Sequence, residues 1–300
     1  MNKTIKYGRA VFLGRPNTGK SSLINAIMQQ KVSITSPLPQ TTRKITRVVF
    51  ENEKGIIMIS DTPGIIGKVD DMMGKRVNTE APKESTLADV AIMVVDISRP
   101  KNEEENKMLG IVRKLECKKI LVYNKLDKAV GTKDHLADYE YMEDEFDKFI
   151  KTSALKEINI KGLINLIIEL LPEKEEDQVR AETKAVHKKG KPVIGMEGTE
   201  FVAEIIREKT YLFLRDEIPY TINVEVTDIK DKGNIIVIKA KIITTADRYK
   251  KIIVGSGGQK IKEIGYNSRK ELELMSSKKV YLELTVETNP HWMEAQTRSM

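Results

Sequence analysis

Eight consecutive residues, Gly14-Arg15-Pro16-Asn17-Thr18-Gly19-Lys20-Ser21, have the spacing G-x-x-x-x-G-K-S of a phosphate-binding loop. Its glycines let backbone N–H groups turn toward phosphate oxygens. A helix starting at the end of the loop presents its positive end to the same charge. Lys20 is placed to reach the β- and γ-phosphates and the Ser21 hydroxyl to hold Mg²⁺, with Ser22 alongside. A second set, Asp61-Thr62-Pro63-Gly64, ends an apolar run. An acidic residue there is where nucleoside triphosphatases hold their metal, and Gly64 leaves its N–H free to approach a γ-phosphate. A third set, Asn124-Lys125-Leu126-Asp127, decides the base. The Asp127 carboxylate can accept from guanine N1–H and the exocyclic amine. Adenine lacks that donor pair and leaves the carboxylate unpaired, a penalty that reaches about 10⁴–10⁵ in sites of this kind. Asn124 can brace neighbouring loops and the stem of Lys125 can cover the base. Thr152, Ser153 and Ala154 are small enough to bring backbone N–H groups to the guanine oxygen. The chemistry these residues predict is Mg²⁺-assisted hydrolysis of GTP to GDP and phosphate.

Such residues need a scaffold that brings loops to one edge. Residues 9–13 read as a buried strand running into the phosphate loop, and Leu23, Ile24, Ala26 and Ile27 give the following helix an apolar face. Residues 31–44, with two prolines and several hydroxyls, read on their own as a surface connection. Strands are expected at 45–50 and 55–59 around a polar turn, and residues 65–85 read as loosely helical. The unbroken apolar run 88–96 reads as a strand buried on both faces. A helix at about 102–116, strands at 120–123 and 148–151 and a helix at about 161–171 follow. This alternation predicts an α/β fold: a doubly wound, mostly parallel sheet with the nucleotide at the carboxyl ends of its strands.

The remainder changes character. Residues 173–191 are acidic, then basic, and read as a solvated linker. A helix is expected at about 200–217, burying Phe201, Val202, Ile205, Ile206, Leu212 and Phe213. Strands at 220–227 and 235–243 flank a hairpin turn at 231–234. A helix from about 247 is broken by Gly255-Ser256-Gly257-Gly258. A helix at 259–275 and a strand at 279–286 complete the series. A G-x-x-G between two helices, beside a three-stranded sheet, is the core of an α+β type II KH domain, whose loop clamps a single-stranded nucleic acid backbone. Arg248, Lys250, Lys251, Lys260 and Lys262 flank the loop, and no acid intervenes from 249 to 262. The predicted organisation is a GTP-binding domain at 1–172, a linker at 173–198, an RNA-binding KH domain at 199–290 and a tail at 291–300.

The totals agree with an anionic partner: 300 residues, net charge +7. One cysteine excludes an internal disulfide, three scattered histidines lack metal-ligand spacing, and no apolar run is long enough to span a membrane. Cytoplasmic placement is the expectation.

The order of these motifs resembles the translation-factor-related GTPases and, within them, the Era family, over nearly the whole chain. Glu204-Ile205-Ile206-Arg207-Glu208-Lys209 and Ile218-Pro219-Tyr220 share that likeness. The resemblance implies that Thr42, rather than Thr41, is the second Mg²⁺-binding hydroxyl. It also implies that Lys20, Thr42, Gly64 and Asn17 act in catalysis, Asn17 through an activating potassium ion. Many small GTPases place a water-orienting glutamine after the D-x-x-G motif. This chain has Ile65, which implies slow intrinsic hydrolysis. For the second half the resemblance implies binding to the 3′ end of small-subunit ribosomal RNA during subunit assembly, in a monomer with peripheral association with the inner face of the membrane. The chain departs from the family in three places. Basic residues replace an aspartate-rich segment near 188–198, Ser256 stands where lysine or asparagine is usual, and residues 286–292 are acidic to neutral where the family is basic. A signalling or scaffold GTPase, using the KH-like module for protein contacts, is the alternative function.

Overall fold

The computed structural model describes residues 3–33, 46–62, 84–129, 135–187, 198–214 and 218–292, excluding the side chains of 46, 182, 184–187 and 220. These fall into two compact units, one of residues up to 187 and one from 198.

The first unit is built on a sheet of order β2-β3-β1-β4-β5-β6. Its strands are β1 (Thr4–Leu13), β2 (Thr46–Asn52), β3 (Gly55–Asp61), β4 (Val90–Asp96), β5 (Lys118–Asn124) and β6 (Lys148–Lys151). The pairings among these six strands are parallel except that of the edge strand β2 with β3. Every residue of β4 is buried because both faces of the sheet are covered. Val90, Ile92 and Val94 face one core with helices α1 (Lys20–Met28) and α3 (Ile160–Leu170). Ala91, Met93 and Val95 face the other with α2 (Glu103–Arg113). Burying each such valine, isoleucine or methionine contributes about 1.5–3 kcal/mol. Helix α2 starts sharply because Asn102 and Glu105 form a capping box.

The strands and helices predicted on described residues of this unit are present with shifted ends, while the loosely helical stretch expected at 65–85 lies outside the described residues except for 84 and 85. β2 runs on to Asn52, because Glu51 and Asn52 pair with Ile56 and Gly55, and Asn52 Oδ1 closes the turn on the N–H groups of Lys54 and Gly55. β3 continues to Asp61 because its register with β1 is unbroken up to Phe12↔Asp61. Helix α2 ends at Arg113, three residues before the expected end, and α3 begins at Ile160.

Residues 173–187 correct the linker reading. β7 (Glu173–Glu175) pairs antiparallel with the start of β1, from Lys6↔Glu173 to Thr4↔Glu175. Helix α4 (Glu176–His187) then buries Val179 against Tyr7, Val49 and Ile56. Among the described side chains Val179 is the apolar anchor, and the sheet supplies the rest of that small core.

The second unit has α5 (Gly198–Phe213), β8 (Ile222–Asp231), β9 (Ile235–Thr244), α6 (Asp247–Val254), α7 (Gln259–Ser276) and β10 (Lys279–Thr288). Its sheet has the order β10-β9-β8, with β9 antiparallel to β8 and parallel to β10. Val202, Ile205 and Ile206 of α5, Ile253 of α6 and Ile264 and Leu272 of α7 pack on Ile222, Ile238, Ala240, Ile242 and Val280. Helix α5 differs from expectation at its end: Leu212 is exposed and Tyr211 is buried in its place. Trp292, after β10, is also buried, and its Nε1 donates to Thr221 O at 3.0 Å.

Candidate nucleotide site and nucleic-acid loop

The parallel pairings carry the ends of β1, β3, β4 and β5 to one edge. Phe12 lies opposite Asp61, and Asp96 opposite Asn124. The loop leaving β1 turns back tightly before α1. Gly14 (φ +154) has no room for a side chain, since a Cβ there would sit 2.5 Å from Val94 O. Gly19 (φ +96) lies against the Asn124 amide with the same effect.

The loop is held by its carbonyls, and each from Gly14 to Thr18 accepts a hydrogen bond from a side chain. Lys20 Nζ donates to Gly14 O (2.9 Å) and Arg15 O (3.0 Å), and Thr18 Oγ1 also donates to Arg15 O (3.1 Å). Arg99 Nη2 donates to Pro16 O (2.9 Å), Lys125 Nζ to Asn17 O (2.5 Å) and Asn124 Nδ2 to Thr18 O (2.8 Å). In a planar trans peptide the N–H points opposite to the C=O. Fixing a carbonyl therefore also fixes the N–H of the next residue, so these bonds set the directions of the N–H groups of residues 15–19, the groups that cradle phosphate.

Lys20 is buried, and burial pushes its ammonium down to about 8 despite the attraction of Asp61. Ser21 Oγ donates to Asp61 Oδ2 at 2.6 Å. Asp61 Oδ1 is buried with no hydrogen-bond partner among the described residues. Burial, the largest influence on this carboxyl, raises it above the ordinary aspartate range in spite of the Ser21 bond and the Lys20 charge. Thr62 Oγ1 anchors the end of β3 to Phe12 O (2.7 Å).

The base-recognition residues surround a cavity of about 810 Å³, lined by Ser22, Asn124, Lys125, Asp127 and Ala154 among others. Asn124 does what its position suggests. While its amide N–H holds Thr18 O, its Oδ1 accepts from Ala154 N (3.2 Å) and Thr152 Oγ1 (3.3 Å). Three loops are joined through one side chain. Ser153 Oγ donates to the Asp127 carboxylate. Lys125 is in a left-handed conformation (φ 68), and its Nζ bonds Asp96 Oδ2 at 2.7 Å.

Three functional side chains, Asp96, Arg99 and Glu105, were not singled out from the sequence. Asp96 accepts from Lys125 and lies 2.9 Å from Arg99 Nε. Burial raises its carboxyl, but bonds from Lys125 and Ser98 outweigh this and leave it below the usual range. Arg15 pairs with the buried Glu105 at 2.5 Å, and Glu105 also caps Asn102 N (2.9 Å) and accepts from Tyr139 (3.3 Å). A signal for Asp96 existed: a carboxylate ending a wholly apolar strand, like Asp61. Arg99 and Glu105 sit in a charged stretch that masks them. Thr42, Pro63, Gly64 and Ile65 lie outside the described residues, as do residues 188–197 of the atypical basic segment.

In the second unit, Gly255, Gly257 and Gly258 have φ of 73, 56 and 75 and turn the chain between α6 and α7. At Gly255 a Cβ would sit 2.7 Å from the Lys260 side chain, so only glycine fits there. Lys250, Lys251, Ser256 and Lys262 are exposed around this turn. Arg248 stacks over Tyr249, its guanidinium carbon 4.6 Å from the ring centroid. The acid that begins α6, Asp247, is occupied by Thr288 Oγ1 at 2.6 Å.

Comparison with known proteins adds a separate line. Residues 9–125 match the 50S ribosome-binding GTPase family and residues 217–292 the KH domain family. The chain is 34% identical over 296 residues to GTPase Era of Pseudomonas aeruginosa (strain LESB58), spanning 96% of this chain and 92% of that one. It is 35% identical over 304 residues to GTPase Era of Aquifex aeolicus, spanning 96% and 95%. A solved structure of Era in complex with MgGDPNP and nucleotides 1506–1542 of 16S ribosomal RNA superposes with a TM-score of 0.83 at 32% identity. It spans 96% of this chain and 95% of that one. A variant of Aquifex aeolicus Era bound to GDP·AlF4⁻ matches to the same degree.

Proposed function

Because this chain belongs to the Era GTPase family, we propose that it is a GTP-hydrolysing switch that binds small-subunit ribosomal RNA near its 3′ end during subunit assembly. The observation that carries the enzymatic half is the joint geometry of the two nucleotide motifs. Asn124 holds the phosphate loop at Thr18 O while Asp127, three residues on, lines the base cavity. One nucleotide can therefore engage both. The RNA-binding half is supported by the glycine turn and its basic flanks, and by the relative solved with 16S ribosomal RNA.

The chain's own part in hydrolysis is largely positioning and charge stabilisation. Loop N–H groups and Lys20 bind the phosphates, and Lys20 stabilises charge as the terminal phosphate leaves. Mg²⁺ fits the residues present: Asp61 Oδ1 is a buried carboxylate oxygen with no partner among the described residues, beside the Ser21 hydroxyl. Ser21, Asp61 and Thr42 would hold the ion, which supplies charge neutralisation on the phosphates. Ile65 offers no hydrogen bond to orient water, so intrinsic turnover is slow. The reading includes activation by potassium through Asn17, which occupies the left-handed middle of the loop (φ 64). Turnover several-fold faster in potassium than in sodium buffer is the expected result, and equal rates remove this part. Monomeric state and peripheral membrane association complete the reading, supported by the family resemblance and the net charge of +7. Sedimentation with anionic vesicles at low salt tests the latter. Among the described residues no helix is long and apolar enough to cross a membrane.

The deciding experiment compares an RNA matching the 3′ end of small-subunit ribosomal RNA with a shuffled copy, in the presence of a non-hydrolysable GTP analogue or GDP. Tighter binding of the true sequence in the GTP state supports the switch. Equal, weak binding in all four combinations overturns it.

A further inference from the structure

Of the five loop carbonyls tied by side chains, four are held by residues of the nucleotide-binding motifs themselves: Lys20, Thr18, Lys125 and Asn124. The fifth is Pro16 O, and its donor, Arg99, belongs to none of them. We propose that Arg99 is a positioning residue of the nucleotide site, fixing the Pro16–Asn17 peptide so that the Asn17 N–H faces the phosphates. This inference rests on the GTP-binding reading of the loop.

Pro16 sits in the middle of the loop and has no N–H of its own, so its carbonyl is the only backbone group by which it can be tethered. That carbonyl shares a planar unit with the Asn17 N–H. Fixing the oxygen therefore also fixes the direction of the N–H. Arg99 is suited to the task because a guanidinium offers separate donors in a fixed fork. Nη2 donates to Pro16 O at 2.9 Å, while the guanidinium is charge-paired with Asp96, its Nε 2.9 Å from Oδ2 but outside hydrogen-bond geometry. A lysine here would have to bring one ammonium within reach of both partners, as Lys125 does for Asn17 O and Asp96, instead of spanning them with a planar group.

The counter-charge makes the arrangement specific. Arg99 stands near two other cations, Arg15 and Lys20. Without a balancing carboxylate the three would repel in a partly desolvated place. Asp96 provides that balance and shares it with Lys125, whose Nζ lies 2.7 Å from the same Oδ2. The arginine that shapes the phosphate loop and the lysine that covers the base therefore depend on one carboxylate oxygen. Arg15 is balanced separately by Glu105 at 2.5 Å. Removing Arg99 leaves Lys125, Asp127 and the Lys125–Asp96 pair in place, so its loss should weaken phosphate binding without altering choice of base.

The test uses the full chain, with Arg99→Ala and Arg99→Lys beside the unaltered protein. GDP, a non-hydrolysable GTP analogue and ITP, which lacks the exocyclic amine, are titrated into each. Arg99→Ala should bind GDP and the GTP analogue about tenfold more weakly, the scale of one charge-assisted hydrogen bond. Its preference for guanosine over inosine nucleotides should be unchanged, as should the melting temperature of the nucleotide-free protein. Arg99→Lys should recover part of the loss. Affinity within twofold of the unaltered protein, full recovery with lysine, or a changed base preference each overturns the proposal. Should Arg99→Ala fail to fold, Arg99→Lys carries the decision: affinity equal to the unaltered protein overturns the role. Failure of the unaltered protein to bind guanine nucleotides would instead strike the GTP-binding reading.

Discussion

At the scale of single residues, the site depends on a buried ammonium. Lys20 titrates at about 8 because burial penalises its charged form. Bound phosphate anions favour that form, so above pH 8 binding must be accompanied by uptake of up to one proton. Guanine-nucleotide affinity should be flat below about pH 8 and fall above it, by up to tenfold per pH unit. Calorimetry near pH 9 in two buffers of different ionisation enthalpy reads the proton directly, and no uptake contradicts the burial argument. The sign for stability is opposite. The folded value lies below that of unfolded lysine, so the ligand-free fold gains stability as pH rises from about 8 toward 10.5. Lys20→Ala should abolish nucleotide binding altogether, measured by the same titration. Asp127→Asn replaces an acceptor-only carboxylate with an amide that also donates. Preference should shift from GTP to XTP, whose 2-oxo group accepts that donor, and competition between the two reads it. These roles were legible in the sequence because each motif pairs a residue type with a fixed spacing. Arg99 and Glu105 were not, because their roles depend on a loop returning to residues 14–18, which no local pattern encodes.

Elements were legible where burial imposed a period. β4 reads as a two-faced strand because all seven of its residues are covered. β7 and α4 were misread because composition reports charge, and charge there is genuine. The turn-to-turn pair Arg180–Glu176 lies toward solvent, while the docking stripe includes, among the described side chains, Val179 and the buried Thr183, whose hydroxyl bonds back to Val179 O at 2.8 Å. Val179→Ala removes two buried methyl groups and should lower the stability of the first unit by about 1–3 kcal/mol. Chemical denaturation checks it; a change below about 0.3 kcal/mol would return residues 173–187 to the status of a solvated connection. In the second unit, strand ends were predicted short because alternation fades where exposure rises on both faces. The ten-residue register of β9 with β10 keeps both strands going.

For the whole molecule, two units carry two chemistries. The G-x-x-G turn was legible from glycine spacing, and the order of helices and strands around it gave the KH fold. Neither Trp292 nor its bond to Thr221 O could be read from a neutral tail. The exposed Lys250 and Lys251 make the salt dependence of RNA binding a whole-molecule readout. Replacing both with alanine should weaken binding to all RNAs alike and flatten the slope of log affinity against log salt by about two. An unchanged slope would remove them from the interface.

The parallel pairing of β9 with β10 also sets a timetable. β9 must wait for α6, α7 and then all of β10, up to Thr288, before its second edge is covered. The first unit is complete once α4 has been made. Synthesis at about 5–20 residues per second separates the two events by roughly a hundred residues, on the order of 5–20 seconds. During that interval the nascent protein can already hold GTP while the sheet of the second unit still lacks β10. Each newly made copy therefore meets its nucleotide before it is able to meet RNA.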